Sequence, residues 1–179
     1  ASTLIECGLK KDQFTINVSN RKIVQGLIED LKIEKEKQIK VMRAIDKLDK
    51  PGFGLKGVEE LLKKERKDKS GAITKGANLG DDQVSKILNF LKIKDLKELK
   101  ENFKNPITQE GIKELEELFE VLKFGNYSDQ VKTNFTIVRG LDYYDGFCVE
   151  TNLNFKAKNI KGKEIDIGSI CSGGQYNKL

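Results

Sequence analysis

The chain has 179 residues, 37% of them hydrophobic and 34% charged, with a net charge of +5; this suits a soluble protein forming one domain with a sizeable core or one and a half smaller ones. No apolar run approaches the roughly 20 residues of a membrane helix, and the N-terminus lacks a charged stretch followed by an apolar one, so neither a membrane span nor a signal peptide is expected and the chain is assigned to the cytoplasm. The absence of histidine excludes triads and metal sites built on that residue, and Cys7, Cys148 and Cys171, far apart and without a CxxC pair, speak against a zinc site and a disulfide framework.

Taken in order, residues 13–18 alternate Phe14, Ile16 and Val18 and predict a strand, with Ser19 or Asn20 capping the helix that follows. Ile23, Val24, Leu27, Ile28 and Leu31 recur at helical spacing. A second helix is predicted over residues 35–48, stopped by Pro51, Gly52 and Gly54, and a third carries Leu55, Val58, Leu61 and Leu62. Residues 70–80, SGAITKGANLG, predict a loop. Asp81 and Asp82 are expected to cap a helix bearing Val84, Ile87, Leu88 and Leu91, a short helix follows over 95–103, and Thr108 is the expected cap of a long one with Ile112, Leu115, Leu118, Phe119 and Leu122 on one side. From Val131 the period changes to two. Val131, Thr133, Phe135 and Ile137 alternate, as do Phe147, Val149, Thr151, Leu153 and Phe155, and Lys161 with Gly162 supplies a hairpin turn before Ile165 and Ile167.

The expected class is α+β: one sheet formed from the first and last parts of the chain and interrupted by an all-helical insertion. The boundaries are residues 1–35, 36–129 and 130–179. Residues 40–75 hold nine lysines and two arginines against six acids, so the whole +5 excess lies there. That excess fits phosphate contact, and it also fits a solvated lysine-rich face, which is the more common case.

Two segments carry the most specific chemistry, VRGLDYYDGFCVE (residues 138–150) and CSGGQYNKL (residues 171–179). Only four of the 33 basic residues are arginines, Arg21, Arg43, Arg66 and Arg139. An arginine at the end of a strand fits bidentate grip on a phosphate or carboxylate, which lysine does not reproduce. Gly140 leaves room for a ligand close to the backbone, and Tyr143 and Tyr144 would point to opposite sides of a continuing strand. The same spacing also fits a tyrosine-bearing strand with a surface arginine, and the residues alone leave both readings open.

RGLDYYDG resembles the first signature of histidyl-tRNA synthetases, usually RGLDYYTG, and SGGQYNKL is similar to their second, usually GGRYDxL. The resemblance is strong over residues 133–179 and weaker over residues 8–31. It implies a class II aminoacyl-tRNA synthetase, whose antiparallel sheet activates histidine with ATP and Mg and transfers it to tRNA, as a homodimer. It further implies that Arg139 grips the histidine carboxylate and α-phosphate, and that Tyr143 and Tyr144, with Gly173, Gly174 and Tyr176 as wall, line the imidazole pocket. Amino-acid activation needs no histidine base, since positioning and charge stabilisation carry the attack on the α-phosphate. The family's helical insertion approaches the tRNA acceptor arm, which makes Lys63, Lys64 and Lys67 the expected phosphate contacts.

Three positions depart from the signatures: Asp145 stands for the usual threonine, Gln175 for arginine and Asn177 for aspartate. An acidic Asp145 beside an anionic adenylate is unfavourable unless it points away or meets a cation. If the usual arginine and aspartate pair, exchanging both for amides keeps hydrogen bonding without a lone buried charge. The family's two ATP-binding arginine motifs are expected before residue 1 and after residue 179, so the chain is expected to be an internal piece of a longer enzyme, inactive alone. The alternative is a non-catalytic relative built on the same core, such as the regulatory subunit of ATP phosphoribosyltransferase; Arg139 and the helical block argue against it.

Overall fold

In this computed structural model, residues 1–50, 52–67, 71–138, 143–165 and 167–176 are described. The chain opens with a short helix α1 (Ser2–Glu6) and a single 3₁₀ turn, then enters strand β1 (Phe14–Asn20). Alternation of Phe14, Ile16 and Val18 sets one apolar face on β1, and Phe14 and Val18 are buried. Asn20 ends the strand in extended backbone, and its side chain accepts from Lys22 N at 3.1 Å, so α2 (Arg21–Asp30) starts at Arg21.

The helical region follows as α3 (Lys35–Ile45), α4 (Gly54–Lys63), α5 (Asp81–Phe90), α6 (Leu96–Asn102) and α7 (Pro106–Phe124). Two cap assignments need correction. At α5 the cap is Gly80, with Gln83 Oε1 accepting from its N–H at 3.3 Å, while Asp81 and Asp82 sit inside the first turn, where they favour the positive helix end. At α7 the cap is Asn105, whose side chain accepts from Ile107 N at 2.9 Å; Pro106 opens the helix, and Thr108 is buried within it, donating to Ile23 O at 3.4 Å. The expected loop over residues 70–80 contains a strand, β3 (Ile73–Lys75), paired antiparallel with β2 (Glu65–Lys67). β-branched Ile73 and Thr74 favour extension there despite the flanking glycines.

Strand β4 (Val131–Thr133) is shorter than the alternation predicts. The chain turns at Asn134, whose side chain accepts from Thr136 N and Thr136 Oγ1 at 3.1 and 2.6 Å, and Phe135 and Ile137 are buried from that turn and not from a strand. β5 (Phe147–Leu153) and β8 (Ser169–Gly174) complete a four-stranded sheet of order β4-β1-β5-β8. β6 (Ala157–Lys158) and β7 (Glu164–Ile165) form a separate hairpin around Gly162 (φ +73°), as the sequence indicates. The sheet is mixed. β1 pairs antiparallel with β5 and β5 with β8, but β1 and β4 are parallel, with Ile16 opposite Val131.

One cluster of buried side chains holds Val18 of β1, Ile23 and Leu27 of α2, Ile45, Leu62, Ile87 and Phe90 of the helical region, and Phe135. Each such side chain contributes on the order of 1.5–3 kcal/mol on full burial. The core therefore runs without a gap across residues 35 and 129. Its tightest crossing is α2 on α7: a methyl at Gly26 would overlap the Thr108 hydroxyl and lie 2.9 Å from Asn105 Oδ1, and one at Gly111 would lie 3.0 Å from Lys22 Cβ. Lys22 Nζ completes the crossing with ion pairs to Glu110 at 2.7 Å and to Glu114.

Candidate active site

β5 and β8 bring the two signature segments together. Cys148 lies opposite Gly174 and Val149 opposite Gly173, so the residues before Phe147 run alongside Gln175 and Tyr176. Tyr143, Tyr144 and Tyr176 meet there as one aromatic cluster. Tyr143 and Tyr176 stack with centroids 5.5 Å apart, and Tyr144 stands edge-on to both, at 4.6 and 5.0 Å. The Tyr144 ring lies flat on Gly174, where a Cβ would come within 2.6 Å of Cε2 and closer still to other ring atoms. Glycine at 174 is thus a steric requirement of the cluster, whereas at Gly173 a Cβ would meet Val149 Cγ2 at an ordinary 3.5 Å. Shielding by its neighbours, followed by the hydrogen bond with Tyr176, raises the Tyr144 pKa above that of a free phenol.

Tyr144 is on the sheet face shared by Gly174 and Cys148, the polar face that also carries Glu150 and Asn152. Asn152 Oδ1 accepts from Asn17 Nδ2 at 2.9 Å. Cys148 is fully buried on this face, and burial pushes its thiol up to about 11. Beside Tyr144 opens a cleft of about 750 Å³, lined by Asp145, Arg21, Lys22, Gln25, Gln38 and Met42 among others. Asp145 therefore faces a cleft that contains cations.

Arg139 and Asn177 lie outside the described residues. Arg21, which the sequence reading passed over, supports the flanks of the first signature. Its Nη1 donates to Val138 O at 3.4 Å, and its backbone N–H donates to Gly146 O at 2.9 Å. The signal was present: Arg21 is one of the four arginines and directly follows β1.

The three lysines expected at nucleic acid differ from one another. Lys63 is held by Glu59 at 3.0 Å and Asp81 at 3.2 Å, and these hydrogen bonds, Glu59 first, raise its pKa. Lys64 and Lys67 are exposed. Arg66 between them turns inward, stacked 4.0 Å from the Phe53 ring centroid and donating to Gly52 O at 2.8 Å. Among the described residues no group of three or more Cys, Asp or Glu side chains converges to hold a metal, and no helix is long and apolar enough to cross a membrane.

The histidyl-tRNA synthetase family profile matches residues 1–179. The chain belongs to the histidyl-tRNA synthetase family. It is 80% identical to a histidine–tRNA ligase of Pelagibacter ubique, over all of this chain and 38% of that protein. A histidine–tRNA ligase of Rhizobium rhizogenes is 38% identical over all of this chain and 37% of its own length. The chain thus spans less than two fifths of the length of these two relatives. Among solved structures, the histidyl-tRNA synthetase of Nostoc superposes with a TM-score of 0.73 at 27% identity, covering 99% of this chain and 38% of that one. An ATP phosphoribosyltransferase regulatory subunit/histidyl-tRNA synthetase from Bacillus halodurans superposes with a TM-score of 0.71 at 20% identity, over 98% of this chain and 40% of its own, a likeness of fold.

Proposed function

We propose that this chain is the part of a histidine–tRNA ligase that holds the histidine side chain, within a longer protein that activates histidine with ATP and transfers it to tRNA. The observation that carries the reading is the aromatic cluster of Tyr143, Tyr144 and Tyr176 packed over Gly174 by the pairing of β5 with β8. Its rings offer flat apolar walls with hydroxyl groups at the rim, which suits a planar, polar imidazole. Gly173 pairs with Val149 and faces the other side of the sheet, so it would join this wall through its backbone alone.

Arg139, next after Val138, would grip the histidine carboxylate and the α-phosphate and stabilise charge as the adenylate forms. ATP and its Mg are substrate and ion of the intact ligase. The acceptor arm of tRNA would run along the helical insertion of residues 36–129, its backbone phosphates meeting Lys64 and Lys67, with Lys63 behind them. The longer protein is placed in the cytoplasm as a homodimer.

The test is exchange of pyrophosphate into ATP by the longer protein. Exchange that depends on histidine is expected, and exchange no greater than a no-enzyme control at saturating histidine overturns the reading.

A further inference from the structure

Continued past Cys148 and Gly174, a regular antiparallel ladder would make Phe147 and Gln175 exchange two backbone hydrogen bonds. One is present, from Gln175 N to Phe147 O at 2.8 Å. The other is displaced. The Gln175 carbonyl accepts from Asp145 N at 3.0 Å, so three residues on one strand stand against one on the other, and the Phe147 N–H loses its ladder acceptor. The Gln175 side chain turns back to fill that place, Oε1 accepting from Phe147 N at 3.3 Å. Gly146 makes this possible: a Cβ there would overlap Oε1 and lie 2.8 Å from Cδ of Gln175. From the other side, Arg21 N holds the Gly146 carbonyl at 2.9 Å.

We propose that Gln175 is a positioning residue: its side-chain oxygen closes this bulge and thereby fixes Tyr144 and Tyr176 against each other. Tyr144 immediately precedes the bulge and Tyr176 immediately follows Gln175, so loss of the closure shifts the two rings relative to one another. The arginine usual in the second signature carries five donors and no acceptor, and so cannot satisfy the Phe147 N–H. Glutamine at 175 therefore supplies an acceptor that the usual arginine does not, and Gly146, which the usual signature also carries, leaves it the room.

The kinetic arm of the test rests on the proposed ligase function, and the amide arm does not. In the longer protein, Gln175→Met keeps the length of the side chain and removes the acceptor, while Gln175→Glu keeps the acceptor. Hydrogen exchange of the Phe147 amide should be about tenfold faster in Gln175→Met and within about threefold of the parent in Gln175→Glu. The KM for histidine in pyrophosphate exchange should rise several-fold in Gln175→Met, and Gly146→Ala should be less harmful in a Gln175→Ala background than in the parent, since truncation removes the overlap. An unchanged Phe147 amide in Gln175→Met and in Gln175→Ala, or equal acceleration in the Met and Glu variants, overturns the proposal. If the parent shows no histidine-dependent exchange while the amide responds as expected, the ligase reading fails and the role of Gln175 stands.

Discussion

At Arg139 the proposed chemistry depends on a planar, doubly donating cation. Arg139→Lys in the longer ligase should lower the rate of adenylate formation by about 10²- to 10³-fold, roughly 3 to 4 kcal/mol, by analogy with the loss of one oxyanion donor, with a much smaller effect on histidine binding. Tyr144→Phe should act the other way round, weakening histidine binding by about 1 to 3 kcal/mol if its hydroxyl pairs with the imidazole, while the rate at saturation changes little. Pre-steady-state adenylate formation over a range of histidine concentrations separates the two, and a parental rate in Arg139→Lys makes Arg139 structural. Cys148 gives a test without substrate. Its ordinary value of 9.0 is raised to about 11 by burial, so between these values the unfolded chain has lost a proton that the native one keeps, and this group makes stability fall as pH rises from about 9 to about 11. Below that window alkylation of the folded protein should modify Cys7 and Cys171, which are exposed, and spare Cys148; mass spectrometry showing three rapid additions would contradict its burial. At this scale β5 and β8 bring Tyr143, Tyr144, Gly174 and Tyr176 together, with both tyrosines of the pair in one cluster and not on opposite sides of a strand. Arg21 carried a signal as one of four arginines, but its partners and those of Gln175 were not legible, because they are backbone groups of Val138, Gly146 and Phe147, and backbone groups leave no trace in residue identity.

Most elements were readable from apolar spacing, as for α2 and α7. Caps were less so: Thr108, a residue type that caps well, lies inside α7 because Asn105 and Pro106 make a stronger start three residues earlier. Gly26 reads in sequence as a helix weakener, yet it is what lets α7 approach α2. Gly26→Leu should cost about 1 to 3 kcal/mol through overpacking against Thr108 and Asn105, measurable as a lowered urea midpoint; an unchanged midpoint would mean that the two helices slide apart freely. The basic segment divides in a way that composition conceals. Lys63 is occupied by Glu59 and Asp81, so Lys64→Glu with Lys67→Glu should weaken tRNA binding and flatten its salt dependence, while Lys63→Ala should do so much less. Binding indifferent to salt would return the segment to a solvated face.

For the whole molecule, the ATP-binding arginine motifs that the family resemblance calls for are not among these 179 residues, and the chain spans 38% of its Pelagibacter relative. The isolated chain should therefore show no histidine-dependent exchange of pyrophosphate into ATP, and activity above a no-enzyme blank would show that its site is sufficient. The α+β class and the place of the helical region between two sheet-forming parts were legible in the change of hydrophobic period near residue 130. The continuity of the core was not, because each amphipathic helix declares that it has a buried face without naming the partner that buries it. The parallel pairing of β1 and β4 has a consequence for any attempt to shorten the protein. The chain leaves the sheet after Asn20 and re-enters beside Ile16, running in the same direction. The helices thus belong to a crossover, and a crossover cannot be replaced by a tight turn: a substitute connection has to travel back along the strand, which takes about a dozen residues or more. A hairpin-length deletion would reverse β4, remove its register with β1 and turn Val131 out of the core, whereas a graft of adequate span would keep the strand directions but strip β1 and α2 of the helices that bury their apolar faces.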